Sequence, residues 1–217
     1  MSDGCETIRR ISVRGLYLIT ELPGRRPESV WFEIIEDALA NGVSVLQFRD
    51  KSDDREKRLR LAKALRDLCR NYGVSFIVND DIDLAAESNA DGVHLGRDDL
   101  GVADARTRLG SDALIGVTCY DDLSRAREAE AIGADYAAFG RFFPSITKPT
   151  ATSAGLDVLQ RARQALTIPR VAIGGIDLNN ASSVIAAGAD AIAVIGAVFE
   201  SPDPAATVRR FCTLIAD

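Results

Sequence analysis

One phrase recurs three times in this chain: ADGVHLG at 90–96, GADYAAFG at 133–140 and GADAIAVIG at 188–196. Each copy joins the end of an amphipathic stretch to a short apolar run. Gly133 and Gly188 are placed to end a helix in the left-handed conformation, and Ala-Asp then turns the chain into a strand. The closing glycine of each copy, with no Cβ, lets backbone approach a ligand. A chain that repeats this joint must alternate helix and strand. β-like runs lie at Leu16–Thr20, Val43–Arg49, Val74–Val78, Asp91–Leu95, Ala113–Thr118, Asp135–Gly140, Arg170–Gly174 and Asp190–Ile195. They are continuously apolar rather than alternating, as in parallel strands buried on both faces.

Amphipathic segments fill the gaps, at Glu28–Ala40, Asp53–Tyr72, Ile82–Ser88, Gly101–Leu109, Asp121–Ile132, Gly155–Leu166, Leu178–Ala187 and Pro204–Ile215. Asp53, Asp121 and Asp177 stand where helix caps belong. Eight strand–helix units predict a single-domain α/β protein, a (β/α)8 TIM barrel over residues 1–217 with 1–14 as an N-terminal extension. A doubly wound open sheet is the alternative, but it does not require eight units.

With 47% apolar residues and no Pro/Gly/Ser-rich linker, the chain has material for one large core. Its net charge of −6 argues against a nucleic-acid partner, which demands a basic face. The arginine-rich run 55–70 reads as a solvated helix face, because Leu59, Ala62, Leu65 and Leu68 recur in it at helical spacing. Cys5, Cys69, Cys119 and Cys212 are scattered without a CxxC pair and read as reduced thiols. With no signal-like N-terminus and no apolar run of about 18 residues, a cytoplasmic protein without a membrane partner is expected.

His94 is the only histidine, which removes multi-histidine zinc sites and leaves nucleophilic triads without support. It reads first as a hydrogen-bonded structural residue, and Trp31 as core. Lysine is also scarce: Lys51, Lys57, Lys63 and Lys148 are the only ones. Lys51 and Lys148 lie outside any helix, where a compact point charge is useful.

In a barrel of this kind the active site forms at the C-terminal ends of the strands. The unusual polar residues gather there. Gln47, Arg49 and Lys51 follow strand two, Asn79 and Asp80 strand three, and Arg97, Asp98 and Asp99 strand four. Thr118 ends strand five, Ser145, Thr147 and Lys148 follow six, Gly174-Gly175 ends seven and Gly196 ends eight. Neighbouring parallel strands lie about 4.8 Å apart, so carboxylates leaving strands three and four can converge on one cation. Cations beside carboxylates form salt bridges or, with Mg²⁺, grip a diphosphate; Mg²⁺ favours one or two carboxylates plus phosphate oxygens. The glycines after strands seven and eight occupy the usual barrel phosphate position. The long loop 140–149 reads as a lid or phosphate clamp.

LYLIT at 16–20, QFRDK at 47–51, VNDDIDLA at 78–85, ADGVHLG-x-DDL at 90–100, FPSITK at 143–148 and VAIGGI at 171–176 together resemble thiamine-phosphate synthase. The likeness runs in order from Leu16 to the end of the chain. The resemblance implies coupling of hydroxymethylpyrimidine diphosphate with a (carboxy)thiazole phosphate, the carboxylated form losing CO₂, to give thiamine phosphate and diphosphate. The implied mechanism is dissociative: diphosphate departs first and the thiazole nitrogen captures the pyrimidinylmethyl cation.

Carried over by motif, Asp80 and Asp99 bind Mg²⁺, and Arg49, Lys51 and Lys148 act on the leaving diphosphate. Gln47, Phe48, Arg49, Asp50, Lys51, Asn79, Thr118 and Lys148 hold the pyrimidine substrate. Ser145, Ile146, Thr147, Gly175, Ile195 and Gly196 hold the thiazole phosphate. The implied partners are these small molecules, and a homo-oligomer is compatible with the reading.

The chain departs from the family pattern at Arg97 (usually Gln), Arg141 (often Pro), Ser145 (Thr), Thr118 (Ser) and Gly196 (Ser). Gly196 puts a side-chain contact to the thiazole phosphate in doubt, though not a backbone one. Two rivals remain at this stage. A thiazole tautomerase on the same barrel has no need of the whole diphosphate set, and a phosphate-ligand sensor has no reason to keep a metal pair.

Overall fold

A computed structural model of the chain describes residues 13–96, 101–144 and 154–216. Eight parallel strands close into a barrel in sequence order. They are β1 (Gly15–Ile19), β2 (Val43–Phe48), β3 (Ser75–Asn79), β4 (Gly92–Leu95), β5 (Leu114–Tyr120), β6 (Tyr136–Phe139), β7 (Arg170–Ile173) and β8 (Ala191–Val194). Between them run α1 (Glu28–Ala40), α2 (Arg55–Tyr72), α3 (Ile82–Glu87), α4 (Val102–Leu109), α5 (Leu123–Ala131), α6 (Asp157–Ala165) and α7 (Ala181–Ala186). After β8 come a single turn, α8 (Gly196–Phe199), and the long α9 (Pro204–Ala216). The expected (β/α)8 barrel is what forms.

Two differences from the sequence expectation have local causes. Asp54 and Asp122, not Asp53 and Asp121, cap α2 and α5: Asp54 accepts from the Lys57 amide, and Asp122 from the Ser124 and Arg125 amides. Asp177 accepts from the Asn179 and Asn180 amides in the turn before α7, whose N-cap is Asn180. In Asp-Asp pairs either residue can cap, and only the backbone angle chooses. The turn α8 went unpredicted because four residues, Gly-Ala-Val-Phe, carry no period to detect.

Alternation of side chains along each strand sorts the core into two layers. Leu16, Leu18, Leu46, Phe48, Phe76 and Val78 face outward onto the helices. Tyr17, Ile19, Val45, Ile77, Tyr136, Ala138, Val171, Ala191 and Ala193 fill the barrel interior. Trp31 on α1 packs in the outer layer, its ring centroid 6.4 Å from that of Phe48. Burial pushes the thiols of Cys69 and Cys119 up to about 12, so both stay protonated in that layer. Among the described residues no helix is long and apolar enough to cross a membrane.

The repeated aspartate now has a physical reason. Asp91, Asp135 and Asp190 sit just before β4, β6 and β8, and each carboxylate reaches the preceding odd-numbered strand. Asp91 accepts from the Phe76 amide at 2.7 Å, Asp135 from the Ile115 amide at 2.7 Å and Asp190 from the Arg170 amide at 2.9 Å. Each also meets an arginine: Arg66 at 3.0 Å, Arg106 at 2.8 Å, and Arg170 together with Arg14. These clamps lie at the base of the barrel, opposite the strand ends that carry the candidate site.

Asp135→Ala removes the acceptor of the Ile115 amide and leaves Arg106 without its carboxylate. Hydrogen bonds to charged groups contribute about 1.5–3 kcal/mol, so the urea midpoint should fall by that equivalent. Turnover per folded molecule should stay within about twofold, since the clamp is remote from the mouth. An unchanged midpoint would show the clamp to be ornamental.

Candidate active site

The C-terminal mouth is assembled strand by strand. Thr20, just past β1, is buried; its amide donates to the Gln47 carbonyl at 2.9 Å and its hydroxyl accepts from the Arg49 amide at 3.0 Å. These bonds fix where β2 releases its polar residues. Glu21 follows, buried and paired with Arg26, whose guanidinium lies 5.9 Å from the Phe199 ring centroid on α8. The first loop is thus latched to the last turn of the barrel.

Parity along β2 separates the QFRDK residues. Gln47 turns inward and its amide nitrogen donates to the Tyr17 hydroxyl at 3.1 Å. Phe48 turns outward, so the structure does not bring its ring to the mouth. Arg49 is half-buried and makes no ion pair among the described residues. Asp50 accepts from the Ser52 amide through Oδ1, while its buried Oδ2 has no partner among the described residues. Lys51 is exposed and places Nζ 3.6 Å from Oδ2 of Asp80.

At the end of β3 two adjacent carboxylates take different jobs. Asp80 adopts φ 63°, a left-handed conformation that only a few non-glycine residues tolerate. Its amide donates to the His94 carbonyl at 2.8 Å, and its Oδ2 accepts from Asn79 at 2.6 Å. Oδ1 takes no hydrogen bond among the described residues. Asp81 instead caps α3 through the Leu84 amide and pairs with Arg58 at 2.8 Å. Asp80 therefore serves the mouth and Asp81 the scaffold.

Beyond β4, residues 97–100 lie outside the described residues, and Asp99 with them. Ser145, Ile146, Thr147 and Lys148 also fall outside. The chain on either side of 145–153 is tied together, the Ala154 amide donating to the Arg141 carbonyl at 2.7 Å. Phe142 and Phe143 lay their amides on the carbonyls of Ile173 and Gly174. Gly174 and Gly175 have positive φ, and a Cβ on Gly175 would stand 2.4 Å from the Pro144 carbonyl oxygen. This pair of glycines lets the β6 loop dock against the end of β7. Ile195 and Gly196 begin α8, both half-buried at the rim.

Sequence reasoning missed three positioning residues. Tyr17 and Tyr136 meet inside the barrel, hydroxyl to hydroxyl at 2.9 Å. Burial raises both phenols above their ordinary range, so they remain neutral. A tyrosine at an inward strand position is itself a signal, since its hydroxyl must find a partner. Arg125 on α5 donates to the carbonyls of Thr118 at 2.8 Å and Gly96 at 3.0 Å, tying the ends of β4 and β5. Nothing in the pattern of α5 marks that arginine. His94 is buried as expected, Nδ1 on the Tyr136 hydroxyl at 3.0 Å and Nε2 on Thr118 Oγ1 at 2.9 Å.

Cations, a strained carboxylate and an inward polar network at the open end of eight parallel strands define a (β/α)8-barrel enzyme. The model of the thiamine monophosphate synthase family matches residues 16–198. A thiamine-phosphate synthase of Chromobacterium violaceum is 52% identical over 197 residues, covering 91% of this chain and 94% of that protein. One of Halorhodospira halophila is 50% identical over 196 residues, covering 90% and 91%. The solved thiamine phosphate pyrophosphorylase of Pyrococcus furiosus superposes with TM-score 0.83 at 34% identity, covering 95% of this chain and 96% of that one. The chain belongs to the thiamine monophosphate synthase family, transferases of thiamine biosynthesis.

Proposed function

We propose that the chain couples 4-amino-2-methyl-5-hydroxymethylpyrimidine diphosphate to a (carboxy)thiazole phosphate. The products are thiamine phosphate and diphosphate, with CO₂ released as well when the thiazole carries its carboxylate. The observation that carries this reading is the meeting of Lys51 with Asp80 across neighbouring strand ends, 3.6 Å apart, with Arg49, which makes no ion pair among the described residues, two positions before Lys51. Such a pair can grip a diphosphate from two sides, directly through the ammonium and through a cation held by the carboxylate.

The donor set fits Mg²⁺. Asp80 offers a hard oxygen, its Oδ1 taking no hydrogen bond among the described residues, and Asp50, next to Lys51 in sequence, has a buried Oδ2 that is also without a partner among them. Asp80 and Asp99 would hold the ion, which when bound neutralises charge on the departing diphosphate.

Arg49, Lys51 and Lys148 bind the diphosphate and stabilise the charge it gains as the C–O bond breaks, its electron pair leaving with oxygen. Gln47, Asn79 and Thr118 hold the pyrimidine; the contact assigned to Phe48 is then through its backbone. The thiazole phosphate is held by Ser145, Ile146, Thr147, Gly175, Ile195 and Gly196, with its ring nitrogen directed at the methylene carbon. The new C–N bond uses the nitrogen lone pair, so no strong base is required, in keeping with a chain whose only histidine is engaged in structure. Reduced thiols and the absence of a membrane-length helix among the described residues support a cytoplasmic setting.

The test is to mix purified protein, both substrates and Mg²⁺ and to measure thiamine phosphate with and without EDTA. Metal-dependent product is expected. Aromatisation of the thiazole carboxylate without coupling would instead make this a tautomerase.

A further inference from the structure

Five side chains form an unbroken line of hydrogen bonds across the barrel interior. Gln47 Nε2 donates to the Tyr17 hydroxyl at 3.1 Å, and Tyr17 meets the Tyr136 hydroxyl at 2.9 Å. Tyr136 meets His94 Nδ1 at 3.0 Å, and His94 Nε2 meets Thr118 Oγ1 at 2.9 Å. The line starts on β2, passes through β1, β6 and β4, and ends on β5. Both of its ends lie at the mouth and its middle is buried.

A hydroxyl has one proton to donate, and a neutral imidazole one donor and one acceptor nitrogen. With the Gln47 amide nitrogen on Tyr17, Tyr17 must donate to Tyr136, and Tyr136 to His94 Nδ1. The imidazole proton is then on Nε2 and goes to Thr118 Oγ1. Thr118 has its own proton left for the mouth, while Gln47 presents its amide oxygen. With the ring neutral, the other fully satisfied arrangement reverses every bond: Gln47 turns its amide, the hydroxyls rotate and the imidazole proton moves to Nδ1. Mixed arrangements leave a buried proton or lone pair unmatched, which is costly in a low-dielectric interior.

We infer that Tyr17, Tyr136 and His94 are positioning residues that set the donor–acceptor character of Gln47 and Thr118 as one unit. In the arrangement described, the mouth offers one acceptor and one donor. That complements an aminopyrimidine, whose amino group donates and whose ring nitrogen accepts; a pyrimidinone, with an accepting carbonyl and a donating ring N–H, demands the reversed line. This ligand assignment rests on the pyrimidine substrate proposed above, whereas the coupling of the two ends does not. Gly116 makes room for the line, since a Cβ there would stand 2.0 Å from Cζ of Tyr136.

Because His94 is the only histidine, ¹⁵N-histidine labelling reports the polarity directly through the tautomer. Wild-type protein, alone and with the aminopyrimidine diphosphate, should show the Nε2–H form. Gln47→Glu substitutes an obligate acceptor once ionised, and across pH 6–9.5 it should convert His94 to the Nδ1–H form. In Gln47→Glu/Tyr136→Phe the conversion should be lost. Tyr136→Phe alone should raise KM for the pyrimidine diphosphate about tenfold, equivalent to one lost hydrogen bond of about 1.4 kcal/mol, with kcat changed less. An Nδ1–H tautomer in the wild type, or one indifferent to residue 47 at every pH, overturns the inference. Failure to form thiamine phosphate with a tautomer that still follows residue 47 would sink the proposed reaction and leave the coupled line standing.

Discussion

Asp80→Ala should abolish thiamine phosphate formation, with a fall in kcat/KM of at least about a thousandfold, the scale on which loss of a group stabilising transition-state charge is felt. The carboxylate stands between Lys51 and Asn79, and in the proposed reaction the cation it holds balances charge on the leaving diphosphate. The loss of stability should be modest. The ion pair with Lys51 is solvent-exposed, and such pairs contribute about 0–1 kcal/mol. Alanine also meets a left-handed φ, at a cost of about 1–2 kcal/mol. Asp80→Asn separates the two effects, because asparagine tolerates that conformation and keeps the shape while losing the charge. Both variants should unfold within a few degrees of the wild type by calorimetry and both should be inactive. An active Asn variant would show that the side chain serves the turn rather than the chemistry.

Gly92→Ala should be the most damaging single methyl in the described barrel. A Cβ at this position would stand 1.8 Å from the Leu114 carbonyl oxygen and 2.6 Å from its carbon. The obstacle is backbone of the paired strand β5, not the end of a flexible side chain, so it cannot step aside without opening the β4–β5 ladder. The expected loss is at least about 4 kcal/mol, in the range reserved for overpacking and broken networks. For a domain of this size it lowers Tm by about 8–16 °C. Soluble protein with an unchanged melting temperature would mean that the two strands are not so closely opposed.

The barrel was legible because burial on both faces forces continuous apolar runs, and a run such as SFIVN in β3 has no competing reading. Cap positions slipped by one at Asp54 and Asp122, where two aspartates stand side by side and only backbone torsion decides between them. The inward direction of Gln47 follows from strand parity, and so does the outward direction of Phe48. The division of labour between Asp80 and Asp81 does not follow from pattern, since it depends on a left-handed residue at the strand end. Tyr17 and Tyr136 escaped for a different reason: they are separated by 119 positions, and no local period announces that two hydroxyls will meet. The clamp role of Asp91, Asp135 and Asp190 was hidden in the same way, although their repetition was visible at once. Asp99 and Lys148 belong to the proposed site on sequence grounds, outside the described residues.

The seam where the barrel closes has a consequence in time rather than space. β1 pairs with β8, Gly15 with Ala191 and Leu18 with Val194, so the first strand made waits for the last. Both ends of this seam are reinforced, by Arg14 with Asp190 at the base and by the Glu21–Arg26 pair under Phe199 at the mouth. Bringing such distant segments together costs loop-closure entropy that local contacts do not. A nascent chain emerging from the ribosome can fold its early helices and strands, yet it holds neither Ile195 nor Gly196, and Tyr17 lies against an unfinished wall. The proposed binding mouth, which includes Ile195 and Gly196, is therefore completed only once β8 has been made and has closed on β1.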